Sequence, residues 1–201
     1  METGQKIQDT SEARVWMDNS DFRPTPERLD IRVIADDITE LNVDGFVFYA
    51  RPDLQLGSGT GGMIMRRGGS AIQKELSLLP TPKAVGDVVM TAAGKLKATF
   101  IVHAVGPAFQ ETAIEEKLRR VTRNILDIVE TQKAKRIAIP PLGTGFYGIP
   151  LEMCARIMLD EILSFSKQPR HLEEIIICVR DSWEIPVFET YLAAENHGNR
   201  R

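Results

Sequence analysis

Two glycine-rich stretches carry the residue types and spacing from which chemistry could be built. Leu142-Gly143-Thr144-Gly145-Phe146-Tyr147-Gly148-Ile149-Pro150 follows a compact apolar run, Arg136-Ile137-Ala138-Ile139-Pro140, and precedes a helix-like pattern beginning near Leu151. Gly57-Ser58-Gly59-Thr60-Gly61-Gly62 comes after a second apolar run, Gly45-Phe46-Val47-Phe48-Tyr49-Ala50, and precedes a helix-like segment from Met63 to Leu79. A strand that empties into a glycine-rich loop and then a helix suits phosphate. Glycine lets the backbone approach an anion, and exposed N–H groups with the helix dipole favour negative charge. Turns and tight packing use glycine too, so one such loop is a weak signal. Two in one small domain are expected to form two walls around a diphosphate.

The elements that must position these loops follow from hydrophobic period. Leu29 to Ala35 alternates and is β-branched, so it is expected as a strand. Asp44 to Ala50 is apolar throughout, as in a strand buried on both faces. Gly86 to Ala93 and Ala98 to Val105 pair as a hairpin joined through Gly94, and Lys135 to Pro140 and Glu174 to Val179 complete the strands. Helices are expected over Met63 to Leu79 with a break at Arg66-Arg67-Gly68-Gly69, and over Glu111 to Lys133, Leu151 to Ser166 and Trp183 to Ala194. Strands alternating with helices predict a three-layer α/β/α sandwich around a central mixed sheet of six or seven strands. Such sheets bind ligands at the carboxyl ends of their strands. Both glycine loops and Asp37 fall there. The expected organisation is an N-terminal extension over 1–28, mobile or loosely docked through Trp16 and Phe22, a domain over 29–195 and a disordered tail over 196–201.

Composition narrows the function class. A net charge of −3 argues against a general electrostatic grip on nucleic acid, although it leaves room for a local basic patch. Cys154 and Cys178 sit in apolar surroundings with no Cys-x-x-Cys or Cys/His metal spacing, so buried free thiols are expected and no metal. No apolar run is long enough to span a bilayer, and the first residues lack an apolar signal core, so no membrane is expected and a cytoplasmic, reduced setting is. His103 in its apolar strand is expected to be a satisfied structural histidine.

Asp37-Ile38-Thr39, the Gly57–Gly62 loop, Ile101-Val102-His103-Ala104-Val105-Gly106-Pro107 and Leu142–Pro150 occur in macrodomain order. The sequence resembles a macrodomain, the ADP-ribose-binding module, from about Leu29 to Ala194. The resemblance implies ADP-ribose, or an ADP-ribosylated protein, as ligand and partner, and calls for no cofactor. It implies that Asp37 accepts from the adenine amino group, as an acceptor-only carboxylate can, and that the Ile38 amide lies beside the ring. The alternative for Asp37 is a turn or cap before Thr39. The Gly57, Ser58, Gly59, Thr60 and Gly61 loop would face the distal ribose and one phosphate. The Gly143–Gly148 loop, with Gly143, Thr144, Gly145 and Phe146, would wrap the other through backbone amides, with the Thr144 hydroxyl added. Tyr147 would lie against the distal ribose, or pack as ordinary core. Trp183 falls near where the family offers an aromatic to adenine.

The departures from the family pattern bear on activity. Hydrolysing macrodomains carry Asn-Ala-Ala-Asn at the end of the second strand and an acidic residue ten places later. Here Phe48-Tyr49-Ala50-Arg51 and Gly61 stand at those positions, and Met65 replaces the histidine usual after the loop. Glycine cannot accept a proton. No catalytic residue is therefore assigned, and a binding module is expected. The alternative is a hydrolase of an ADP-ribose derivative: an ADP-ribosyl ester, O-acetyl-ADP-ribose or ADP-ribose with a terminal phosphate. Arg51 either contacts a phosphate or acidic group on the ligand or pairs with Asp53 at the surface. Asp36 adds negative charge at the adenine end. Arg66 and Arg67 approach the pocket mouth or, on the simpler reading, face solvent.

Overall fold

A computed structural model describes residues 29–168 and 171–198. The expected extension over 1–28, with Trp16 and Phe22, lies outside them. Six strands, β1 (Asp30–Ala35), β2 (Gly45–Ala50), β3 (Val88–Ala92), β4 (Phe100–Val105), β5 (Arg136–Ile139) and β6 (Glu174–Val179), form one sheet in the order β1-β6-β5-β2-β4-β3. Every neighbouring pair is parallel except β3 with β4. The carboxyl ends of five strands therefore share one crest, and the segments at 36–37, 51–59, 106–109, 140–148 and 180–183 all start from it.

Alternate residues on each strand feed two separate cores, as the period of two requires. Val47, Val102, Ile137, Ile139, Ile175 and Ile177 face one side with Leu118, Val121 and Ile125 of α3 (Ile114–Thr131), Ile157 and Met158 of α4 (Leu151–Phe165) and Phe188 of α5 (Ile185–Gly198). Phe46, Ile101, Ala138, Ile176 and Cys178 face the other with Ile64 of α1 (Thr60–Gly68) and Ile72 and Leu76 of α2 (Ala71–Leu76). The result is the expected sandwich, helices on both faces of a mixed six-stranded sheet. No helix among the described residues is long and apolar enough to cross a membrane. Both cysteines are buried free thiols.

The break expected near Arg66-Arg67-Gly68-Gly69 falls at Gly69, whose φ of 95° ends α1. A side chain at Gly68 would meet Ile72 Cδ1 at 2.5 Å, so glycine there lets α1 and α2 pack. The turn between β3 and β4 nests on the same spot: a Cβ at Gly94 would lie 2.2 Å from the Gly68 carbonyl oxygen. Three helix starts differ from the sequence pattern, the first being α1, which begins at Thr60 instead of Met63. α3 begins at Ile114 instead of Glu111, because Ala113 is in the left-handed region (φ 53°) and Glu111 is used to accept from the Ala108 amide at 3.0 Å. Trp183 sits in a single 3-10 turn, Ser182–Glu184, held by a reciprocal Asp181/Glu184 capping box before α5 starts. α5 runs into the stretch expected as tail, and 199–201 lie outside the described residues.

Candidate functional site

The two glycine loops leave main-chain donors unused. α1 starts at a Gly59 cap with φ 59° and no capping side chain, so the first donors of the helix have no local partner. The amides of Ser58, Gly59, Thr60 and Gly61 donate to no acceptor among the described residues, whereas those of Gly62 and Met63 reach the Ser58 and Gly59 carbonyls at 3.4 and 3.1 Å. In the second loop the Gly148 amide closes a turn on the Gly145 carbonyl and the Ile149 amide reaches that of Gly143, both at 3.0 Å. The amides of Gly143, Gly145, Phe146 and Tyr147 have no such acceptor among the described residues. Gly61 and Gly143 are buried residues, where an unpaired N–H is costly unless water or a ligand meets it.

The glycines of the two loops serve different ends. A Cβ on Gly61 would lie 1.6 Å from the Leu56 carbonyl oxygen, and one on Gly143 would lie 2.6 Å from Ile149 Cδ1 and 3.0 Å from the Tyr49 hydroxyl. Those two are required by packing. Gly145 is different: nothing lies within 4 Å of its missing side chain, and its φ is not positive. The fold itself makes no demand for glycine there.

Tyr49, which sequence reasoning passed over, organises the floor. Its hydroxyl donates to the Pro107 carbonyl at 2.6 Å, and its ring fills the space that side chains at Gly106 and Gly143 would occupy. Burial raises its pKa, assisted by Cys154, Tyr147 and Glu111, so the phenol stays a donor. Tyr147 packs edge-on against Tyr49 at 5.1 Å and against Phe146 at 5.5 Å. Its carbonyl accepts the Phe109 amide at 3.0 Å, clasping the segment after β4 to the second glycine loop. Tyr147 is thus half-buried packing with one face left at the crest, while Phe146 at the loop tip is 95% exposed. The Thr144 hydroxyl turns back onto the Pro141 carbonyl at 3.4 Å.

At the β1 end Asp37 caps the 3-10 turn Ile38–Glu40, taking the Thr39 amide at 3.0 Å and the Thr39 hydroxyl at 2.7 Å on Oδ1. Its Oδ2 accepts from Arg67, whose Nη1 also donates to the Thr39 hydroxyl at 2.6 Å and lies 3.3 Å from Glu40. Arg67 therefore does not simply face solvent; it closes over the Asp37 carboxylate. Burial works to raise the Asp37 pKa, but the Thr39 hydroxyl, Arg67 and the Thr39 amide outweigh it and hold the carboxyl below its usual range. The Ile38 side chain is buried and its amide has no acceptor among the described residues. Asp36 Oδ1 accepts the Asp37 amide at 2.7 Å. Trp183, 66% exposed, rises from the neighbouring strand end, where the Asp36 amide meets the Val179 carbonyl at 3.2 Å.

Arg51 pairs with Asp53, Nε to Oδ1 at 3.1 Å and Nη2 to Oδ2 at 2.8 Å. The pair lines an open cleft of 410 Å³ with Pro52, Pro82, Phe146 and Tyr147. His103 lies away from this chemistry. Buried, it bonds the Thr91 hydroxyl at 2.9 Å, and burial pulls its pKa down to about 4.

A mixed six-stranded sheet between two helical layers, crested by two glycine loops with unused amides, defines an α/β/α domain of the macrodomain type. Comparison with known proteins agrees. The Macro domain family model matches residues 50–158. An uncharacterised protein of Saccharolobus solfataricus is 38% identical over 165 residues, covering 80% of this chain and 92% of that relative. O-acetyl-ADP-ribose deacetylase 1 of Pantoea vagans is 34% identical over 154 residues, covering 74% and 90%. Among solved structures, an Oceanobacillus iheyensis macrodomain mutant with ADP-ribose superposes with a TM-score of 0.78 at 26% identity, covering 82% of this chain and 92% of that one. The chain belongs to the Macro domain family.

Proposed function

We propose that this macrodomain binds ADP-ribose, free or attached to a protein, across the crest of its sheet, and acts as a binding module. The observation that carries the reading is the pair of unused amide rows, Ser58 to Gly61 and Gly143 with Gly145 to Tyr147. Each row includes a buried glycine whose N–H needs an acceptor, and a diphosphate supplies several. The Asp37 carboxylate, held ionised, suits an exocyclic amine at the adenine end, with the Ile38 amide and the exposed Trp183 ring beside it. Gly145 supports the same reading, since the fold leaves open the space a side chain would take.

Binding is favoured over hydrolysis by two residues. Gly61 brings no proton acceptor to the loop, and Arg51 is committed to Asp53 where hydrolysing relatives place an asparagine. The deacetylase name of the Pantoea vagans relative favours a second reading, turnover of an ADP-ribose ester through ordered water and the ligand's own phosphate. Calorimetry with ADP-ribose tests the first: micromolar affinity, about −8 kcal/mol, is expected, and no heat at millimolar ligand overturns it. Incubation with ADP-ribosyl esters, O-acetyl-ADP-ribose and the terminal phosphate separates the two. Intact substrates support the module, and product formation moves the assignment to a hydrolase.

A further inference from the structure

The cleft beside Tyr147 has a wall that ADP-ribose alone does not explain. It draws on three separate segments: Arg51, Pro52 and Asp53 after β2, Pro82 from the connection to β3, and Phe146 with Tyr147 from the second glycine loop. Its volume of 410 Å³ lies in the range of small-ligand sites. Phe146 stands 95% exposed at its rim.

The chemistry of the wall selects among occupants. The Arg51–Asp53 fork uses Nε and Nη2 on one side and both carboxylate oxygens on the other, and Asp53 Oδ1 also takes the Gln55 amide at 3.0 Å. Arg51 Nη1 has no acceptor among the described residues, and Asp53 Oδ2 keeps a lone pair. The pair is neutral as a unit, half exposed, and no second cation lines the cleft among the described residues. At the fork itself an anion would have to face the Asp53 carboxylate with only an already neutralised arginine side chain to meet it, since the unused Phe146 and Tyr147 amides belong to the row proposed for the diphosphate. A peptide group fits: its carbonyl accepts from Nη1 and its N–H donates to Asp53, while Phe146, Pro52 and Pro82 offer apolar contact to neighbouring side chains.

We infer that this cleft receives the polypeptide carrying the ADP-ribose, so that the domain prefers an ADP-ribosylated peptide to the free nucleotide. The inference rests on the ADP-ribose reading above, in which Tyr147 marks the distal ribose and the cleft begins where the nucleotide ends. The test titrates the protein with three ligands: ADP-ribose, ADP-ribose with a terminal phosphate, and a short peptide carrying ADP-ribose on a serine oxygen. The peptide ligand is expected to bind about tenfold tighter than ADP-ribose, about 1.4 kcal/mol, and the phosphate no tighter. Arg51→Gln and Asp53→Asn should each remove the peptide's advantage and leave affinity for free ADP-ribose unchanged. Equal affinities for peptide and nucleotide, or a gain for the phosphate alone, overturn the inference while the ADP-ribose reading stands. Failure of all three ligands to bind overturns both.

Discussion

Arg67 and Asp37, thirty positions apart, form an ion pair that closes the β1 end of the crest, the end proposed for the adenine. The helix that carries Arg67 is the one that begins at the Gly59 loop. At nine residues it is about 13 Å long. One rigid element therefore links the proposed phosphate wall to the carboxylate proposed for the base.

The pair should show itself in the pH dependence of binding. Arg67 and Thr39 depress the Asp37 pKa against the pull of burial. Removing the guanidinium raises that pKa, so a ligand that needs the ionised carboxylate is lost at a higher pH as the solution is acidified. Arg67→Ala is expected to move the acid limb of ADP-ribose affinity upward, and Arg67→Lys to move it less. Asp36, Glu40, Lys97 and Cys178 also face this corner and are unchanged in both variants. The stability cost should be small, because the pair is part exposed and screened by solvent. Superimposable binding profiles for wild type and Arg67→Ala would count against the assignment of Asp37.

Tyr49 offers a stability test of the crest itself. Tyr49→Phe deletes the hydroxyl that meets the Pro107 carbonyl at 2.6 Å and is expected to cost about 1 kcal/mol. Gly143→Ala should cost more, because its Cβ would press on Ile149 and the Tyr49 hydroxyl at a backbone φ of 74°. Urea unfolding of both variants checks the order. A Gly143→Ala protein as stable as wild type would show that Tyr49 does not hold this loop.

Stability should also fall in mild acid through His103. Its folded pKa is about 4, below the ordinary 6.5, so in the pH range between them the unfolded chain takes up the proton and the folded chain does not. The contribution is complete above pH 6.5 and is lost as pH falls toward 4, by up to about 3 kcal/mol. Carboxylates that are paired in the fold lose stability at the acid end too, so the comparison is with His103→Gln, whose unfolding free energy should be flatter over this range. Parallel curves for the two proteins would show that His103 does not titrate on unfolding.

Hydrophobic period was enough to place every strand, because β2 and β6 are apolar on both faces and β1 alternates at an edge. The break after α1 was legible in Gly68-Gly69, and the Arg51–Asp53 pair in a spacing of two. Contacts between distant segments were not. Nothing local connects Tyr49 with Pro107 or Arg67 with Asp37, and only the parallel register of β2 with β4 and the return of α1 across the crest bring them together. The reason for each glycine was equally hidden. Gly61 and Gly143 are packing glycines in stretches that read as phosphate loops, and only coordinates separate them from Gly145, whose neighbourhood is empty.

Gly145 is also where the central claim, that free main-chain amides form a cradle for a pyrophosphate, is most exposed to test. A Cβ there meets no neighbour within 4 Å and the position needs no left-handed backbone, so Gly145→Val should melt at the wild-type temperature. Titrated side by side with ADP-ribose in a calorimeter, wild type should bind with a Kd of about 1 µM and the variant should give no measurable heat. A well-folded variant that binds as tightly as wild type would contradict the account.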